Sequence, residues 1–137
     1  MSDLDDIKKR FIVDDDAIQE KQFVGMIVRA NRFIKVSKSG QIHFELTNLT
    51  NKDRVALVFI GRFLGNRLEP EIRKEVLNEE LSTITGLKPK IVSARISELK
   101  KEPLIERIDK GVHRAISLFI IDRFLKKLEQ RLATNEI

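Results

Sequence analysis

The 137-residue sequence has no cysteine, no tryptophan and no tyrosine, and only three prolines and six glycines. Without cysteine, the chain can form neither a disulfide framework nor a thiolate metal site. Without tryptophan and tyrosine, a platform for stacking single-stranded nucleic acid would need phenylalanine alone. No apolar run approaches the roughly 20 residues of a membrane span, and the acidic amino terminus is unlike a signal peptide. We therefore expect a cytoplasmic protein with no membrane partner.

The sequence motifs of common enzymes are missing as well. There is no glycine-rich phosphate loop and no nucleophile elbow. The only histidines, His43 and His113, lie in strand-like segments, where a half-exposed polar position is the ordinary interpretation. We therefore expect no enzymatic activity, no cofactor and no bound metal.

Charged residues make up 34% of the chain and hydrophobic residues 42%, which favours a folded, highly soluble domain with a sizeable core. High charge combined with few glycines and prolines is also typical of thermophile proteins. The composition therefore predicts one domain, or one domain with an appendage.

The amino-terminal third predicts a tail and an extension. Residues 1–16 form an acidic segment that we predict to be a mobile tail. Residues 17–49 predict a helix followed by a β-hairpin, because residues 34–36 and 42–46 alternate apolar and polar side chains around a turn at Ser37–Gly40. The sequence leaves three roles open for this extension: it can cover the core, contribute to a dimer, or bind a partner protein.

Thr50 is predicted to cap the most apolar helix of the chain. Asp53 lies three residues further on, as in an acidic version of the capping box. Apolar residues recur along the helix, so we expect it to be the buried scaffold of the domain: Val55, Val58, Ile60, Phe63, Leu64 and Leu68. Gly65 and Pro70 mark its end.

Residues 79–101 predict two helices joined by a tight turn. The first ends at Gly86, the residue that best tolerates the left-handed geometry at a helix end. Pro89 predicts the start of the second, because a missing N–H costs nothing at the first helical position. One face of the second helix is apolar, with Val92, Ile96 and Leu99 at steps of four and three. The opposite face is small or basic, with Lys90, Ser93, Ala94, Ser97 and Lys101.

A β-ribbon is predicted after Pro103, which ends the second helix. Its strands, residues 104–108 and 112–117, flank the turn Asp109-Lys110-Gly111. Val76-Leu77 is predicted to be a short third strand of the same sheet, and Asn78 to cap the helix that follows it.

Thr85-Gly86-Leu87, the run VSARISEL at residues 92–99 and the run LIER at residues 104–107 resemble the winged helix-turn-helix of MarR-like and related archaeal transcription regulators. The resemblance covers roughly residues 52–117. It implies a mainly α fold with small β-sheets (α+β), in which residues 50–117 form the winged helix-turn-helix domain. In that family the second helix of the motif enters the DNA major groove and the wing contacts the backbone. Two positions depart from the family: Pro103 replaces a usual glycine, and Ile91 replaces a serine or threonine that often reaches toward DNA.

The excess of positive charge lies in the same segment. Residues 86–114 hold eight Lys and Arg against four acidic residues, whereas residues 51–85 hold six of each. Because Lys and Arg dominate affinity for phosphates, this distribution favours a nucleic acid over an acidic protein. We predict that recognition helix 89–102 turns Lys90, Ser93, Ala94 and Ser97 toward base edges. The predicted phosphate contacts are Lys88, Arg95, Lys100, Lys101, Arg107, Lys110 and Arg114.

Residues 118–137 predict a long carboxy-terminal helix. Its apolar residues recur at steps of three and four, the spacing of a coiled-coil seam: Leu118, Ile121, Leu125, Leu128 and Leu132. We predict that this seam forms a homodimer, which would place two recognition helices in successive major grooves about 34 Å apart. The alternative is a helix folded back on its own chain.

The sequence thus predicts a transcriptional regulator that binds double-stranded DNA as a homodimer. Two alternatives remain open. One is a winged-helix module for protein–protein contacts in a transcription or replication assembly, with a partner bound through the amino-terminal extension. The other is an architectural protein that binds DNA without sequence preference.

Overall fold

The computed structural model describes residues 3–11 and 15–135, which form six helices and two small antiparallel sheets. The helices are α1 (Asp3–Phe11), α2 (Asp15–Ala30), α3 (Asn51–Leu68), α4 (Asn78–Thr85), α5 (Pro89–Lys101) and α6 (Leu118–Asn135). The strands are β1 (Ile34–Val36), β2 (Ile42–Phe44), β3 (Val76–Leu77), β4 (Ile105–Asp109) and β5 (Val112–Ala115). The expected mainly α fold with small β-sheets is confirmed at this level.

Helix α3 lies at the centre of the fold. Every residue from Val55 to Ile60 is buried. Because this part of the helix is apolar on all sides, other elements have to cover it all round. Its first turn is held by a capping box, in which the Thr50 hydroxyl accepts from the Asp53 amide and the Asp53 carboxylate accepts from the Thr50 amide, at 3.1 and 3.0 Å. The predicted cap is therefore confirmed. Leu68, at the far end, is exposed instead of buried.

The amino-terminal extension covers one side of α3. Strands β1 and β2 pair antiparallel with Lys35 opposite His43. Ile34 and Ile42 reach from this hairpin to Gly61, which leaves room for them because it has no side chain. Four residues from α2 and the turn after it are also buried in the same core: Phe23, Met26, Ala30 and Phe33. Of the three roles that the sequence left open, the extension performs the first, covering the core.

The helix pair and the ribbon follow the predicted order. Gly86, with φ +73°, ends α4, and Pro89 is the first residue of α5. The three strands of the second sheet are arranged β3-β5-β4, all antiparallel, with Val76 opposite His113. One detail of the prediction is wrong: Asn78 is the first residue of α4, and Leu77 occupies the cap position. Strand β3 runs directly into the helix, so no residue is left between them to serve as a polar cap.

Helix α6 folds back on its own chain. Ile121, Leu125, Leu128 and Leu132 are buried inside the single chain, and Leu118 is half-buried. Arg29 of α2 donates to Asp122 at 2.6 Å, and Arg131 pairs with buried Asp53 at the start of α3. We predicted that this seam forms the dimer interface. The structure corrects that prediction, because residues with the same three–four spacing pack within one chain. Homodimerisation itself stays a prediction.

Helix α1 lies within the segment predicted to be a mobile tail, and none of its residues is buried. Asp15 and Asp16 of that segment begin α2, and Met1, Ser2 and residues 12–14 lie outside the described residues. None of the helices in the described part of the chain has both the length and the apolarity needed to cross a membrane.

Candidate nucleic-acid interface

Helix α5 is held by one face and presents the other to solvent. Val92, Ile96 and Leu99 are buried against α3 and α4. At about 100° per residue, the positions predicted to meet DNA fall on the opposite side of the helix. All of them are exposed: Lys90, Ser93, Ala94 and Ser97. Among the described residues, these side chains make one hydrogen bond, from the Ser97 hydroxyl to the Ser93 carbonyl at 3.2 Å, so the polar groups of the face remain accessible.

The start of α5 adds a favourable electrostatic environment for an anion. Lys88 occupies the cap position and its side chain makes no capping hydrogen bond. Pro89 has no N–H, and the Ile91 and Val92 amides both donate to the Lys88 carbonyl at 3.0 Å. The Lys90 amide therefore remains for a further acceptor at the positive end of the helix dipole. Lys88 and Lys90 flank this end, and both are exposed. A phosphate oxygen at this end would accept a hydrogen bond from the Lys90 amide.

The acidic residues of the segment are engaged locally. Glu98 pairs with Arg95 at 3.0 Å, Glu106 with Arg114 at 3.1 Å, and Glu102 with Lys52. The Asp109 carboxylate accepts from the Lys110 amide at 2.8 Å. Within the described residues, six of the eight basic side chains in residues 86–114 form no ion pair: Lys88, Lys90, Lys100, Lys101, Arg107 and Lys110. The free positive charge is therefore larger than the net count implies.

Two predicted phosphate contacts are less available than the others. Arg95 is half-buried on the flank of α5, and its Nε is buried without a hydrogen-bond partner. Arg114 is half-buried and lies between Glu106 and Glu75. Both guanidinium groups therefore have carboxylate neighbours with which a phosphate would have to compete.

Lys100 and Lys101 are exposed in the last turn of α5, and the β4–β5 ribbon carries two further cations near its turn. Gly111, with φ +70°, closes the turn, and the pairing is irregular between Arg107 and Asp109. Arg107 and Lys110 are exposed there. The ribbon thus extends the cationic surface beyond α5.

His113 differs from its prediction. It is buried rather than half-exposed, and its ring meets that of Phe59 edge to face, with centroids 6.5 Å apart. Burial lowers the pKa of His113, and the positive charges of Lys100 and Arg107 lower it further. Because β5 turns this side chain toward α3, His113 helps to pack the ribbon against that helix.

Two arginines of α3 organise this region and were not singled out from the sequence. Arg54 donates to the Thr85 carbonyl at the turn between α4 and α5, and its guanidinium lies 5.3 Å from the centre of the Phe44 ring. Arg62 is buried, donates to the Gly40 carbonyl at 2.6 Å, and pairs with Glu80 at 2.5 Å. An arginine inside an otherwise apolar helix is the signal that could have identified Arg62, since buried charge requires partners.

No cluster of three or more potential metal ligands occurs within residues 3–11 and 15–135. No family model, no curated protein and no solved structure matches the chain. The interface is therefore characterised by its own geometry and charge.

Proposed function

We propose that this chain is a transcriptional regulator that binds double-stranded DNA through a winged helix-turn-helix and acts as a homodimer. In this proposal α4 and α5 form the helix-turn-helix, α5 enters the major groove, and the β4–β5 ribbon is the wing on the backbone. The observation that carries it is the exposed small and cationic face of α5, opposite its buried apolar face. A B-DNA major groove about 12 Å wide admits one such helix.

The exposed face suits base contacts of known chemistry. The Lys90 ammonium can donate to the O6 and N7 acceptors of guanine, and the Ala94 methyl can contact that of thymine. The hydroxyl groups of Ser93 and Ser97 can donate or accept. The five other unpaired cations, at the two ends of α5 and on the ribbon, supply phosphate contacts that set position and orientation. Exposed Ile91 offers no polar group to a base at its position.

The test is selection of random duplex DNA by the purified protein, followed by sequencing. The proposal predicts an enriched motif with two-fold symmetry. Lys90→Ala should then reduce affinity for this motif by roughly 1–3 kcal/mol and relax specificity at one position. Lys110→Ala should weaken binding to every sequence and reduce the salt dependence by about one phosphate contact. Lys21→Ala, a change at an exposed lysine of α2, is the matched control and should leave binding unaltered.

Other outcomes would assign another function. Tight binding without an enriched motif, falling steeply with salt, would indicate the architectural alternative. Weak binding that is insensitive to Lys90→Ala would refute the recognition-helix assignment.

A second candidate function is a winged-helix module for protein contacts in a transcription or replication assembly. It is favoured by the apolar residues that α1 exposes. It predicts a protein partner that remains bound at high salt and weak duplex binding without sequence preference.

A further inference from the structure

Helix α1 has an apolar stripe that no described residue covers. Leu4, Ile7 and Phe11 are 76%, 58% and 85% exposed. At about 100° per residue they fall within an arc of about 60°. The rest of the helix is charged. A helix of nine residues is marginal in water, and its stability has to come from packing of such a stripe.

A groove of matching character lies between α2, β1 and the second half of α3. We call it the α2–α3 groove; its apolar lining includes Ile27, Val36, Leu64, Leu68 and Ile72. Its volume of about 380 Å³ lies within the range of small-molecule binding pockets. Leu68, at the edge of the groove, is an apolar side chain that is 59% exposed. No residue of α4, α5, β4 or β5 lines the groove.

The charges around the two surfaces are complementary. Lys35, Lys38 and Glu69 lie at the groove, which gives it one net positive charge. Neither lysine forms an ion pair with a described residue, although the Lys35 ammonium donates to the Asn31 side-chain oxygen. The first turn of α1 is acidic, with Asp3, Asp5 and Asp6. An amphipathic helix with an acidic first turn would therefore bury its apolar stripe and meet two ammonium groups in the same contact.

The single chain leaves both surfaces open. Leu4, Ile7 and Phe11 stay exposed in it, and no residue of α1 lines the groove. A second copy supplies an identical helix without the constraint of the short link between Phe11 and Asp15, so the groove of one copy can take α1 of the other.

We propose that α1 of one copy docks into the α2–α3 groove of a second copy, with Leu4, Ile7 and Phe11 as anchors and the acidic first turn beside Lys35 and Lys38. Exchange of the two α1 helices forms a closed, two-fold dimer. This contact leaves the exposed face of α5 free. It rests on the homodimer of the proposed function and not on its DNA contacts. A dimer linked through α1 can therefore form in a chain that binds no DNA, and DNA selection can succeed with a dimer that forms elsewhere.

The absence of cysteine allows a direct test on the full-length chain. Ile7→Cys and Leu68→Cys are prepared as separate variants, mixed, and oxidised with copper phenanthroline. Docking in a second copy predicts a disulfide-linked heterodimer between the two variants. The matched control replaces Ile7→Cys with Lys9→Cys, on the opposite face of α1, and should give much less product.

A second measurement follows association without a cross-link. Sedimentation equilibrium should show that the unmodified chain dimerises and that Phe11→Glu raises the dissociation constant by about 30-fold or more. Since Phe11 is exposed in the single chain, its thermal unfolding at low concentration should not change.

Two results would overturn the proposal. One is an unmodified chain that stays monomeric at all concentrations, together with Ile7→Cys and Leu68→Cys variants that form no more heterodimer than the Lys9→Cys control. The other is a chain carrying both Ile7→Cys and Leu68→Cys that closes an internal disulfide as a monomer, which would show that α1 docks on its own chain.

Discussion

Replacement of Gly61 by alanine should destabilise the protein, whereas the same replacement of Gly25 should stabilise it. Both glycines lie inside helices, Gly61 in α3 and Gly25 in α2. A Cβ at Gly61 would lie 2.7 Å from Cδ1 of Ile42 and 2.9 Å from Cδ1 of Ile34. A Cβ at Gly25 would meet no atom within 4 Å. The two variants therefore share the helix-propensity effect and differ in packing.

The expected magnitudes follow from these distances. Gly to Ala inside a helix contributes about 0.8–1.0 kcal/mol of stability. This is the whole effect expected at Gly25. At Gly61 the methyl group overlaps two buried isoleucines, and overpacking of a core costs about 1–3 kcal/mol. The net change at Gly61 should thus be a loss of about 1 kcal/mol, with the hairpin pushed away from α3.

Urea unfolding measures both variants, with the midpoint shifting and the slope unchanged. Ile42→Val provides an internal check, because it removes the Cδ1 atom that is closest to the added methyl group. Alone it should cost about 0.5–1.5 kcal/mol. Combined with Gly61→Ala it should cost clearly less, since part of the overlap is relieved. Equal stabilisation by Gly61→Ala and Gly25→Ala would refute the packing argument.

Two further predictions concern the cap of α3 and the buried histidine. Thr50→Ala should cost about 1 kcal/mol in urea unfolding, while Thr50→Ser, which keeps the hydroxyl, should cost far less. Lowering the pH from about 7 to about 5 should destabilise the protein, because the pKa of His113 is lowered in the folded state and the unfolded chain binds more protons in that window. His113→Gln should flatten this pH dependence of the unfolding free energy; an unchanged slope would show that His113 does not cause it.

Local signals in the sequence predicted much of the fold. Gly86, Pro89 and the Thr50–Asp53 pair act within a few residues, and each was confirmed at its position. The two hairpins could be predicted for the same reason, since a turn of a few residues joins β1 to β2 and β4 to β5. The exposed face of α5 also follows from its own periodicity, because the buried positions Val92, Ile96 and Leu99 determine where the other side chains lie.

Contacts between residues far apart in the sequence were harder to predict. The three–four spacing of Ile121, Leu125 and Leu128 shows that one face of α6 is buried, and it is the same for a partner chain as for α2 of the same chain. Residue spacing also does not predict which side chain pairs with a buried charge. Buried Asp53 pairs with Arg131, which lies 78 positions further along the sequence. His113 was misjudged because alternation along a strand does not tell which face is covered.

The ion pairs that hold the elements around α5 in place lie away from its exposed face. Arg62 joins the hairpin, at the Gly40 carbonyl, to Glu80 of α4. Arg131 joins α6 to Asp53 at the start of α3. Neither pair uses a side chain of α5, whose apolar residues alone anchor it. Substitutions on the exposed face of α5 should therefore change ligand binding with little change in stability, so a loss of DNA affinity in Lys90→Ala can be attributed to a lost contact once its unfolding midpoint is unchanged.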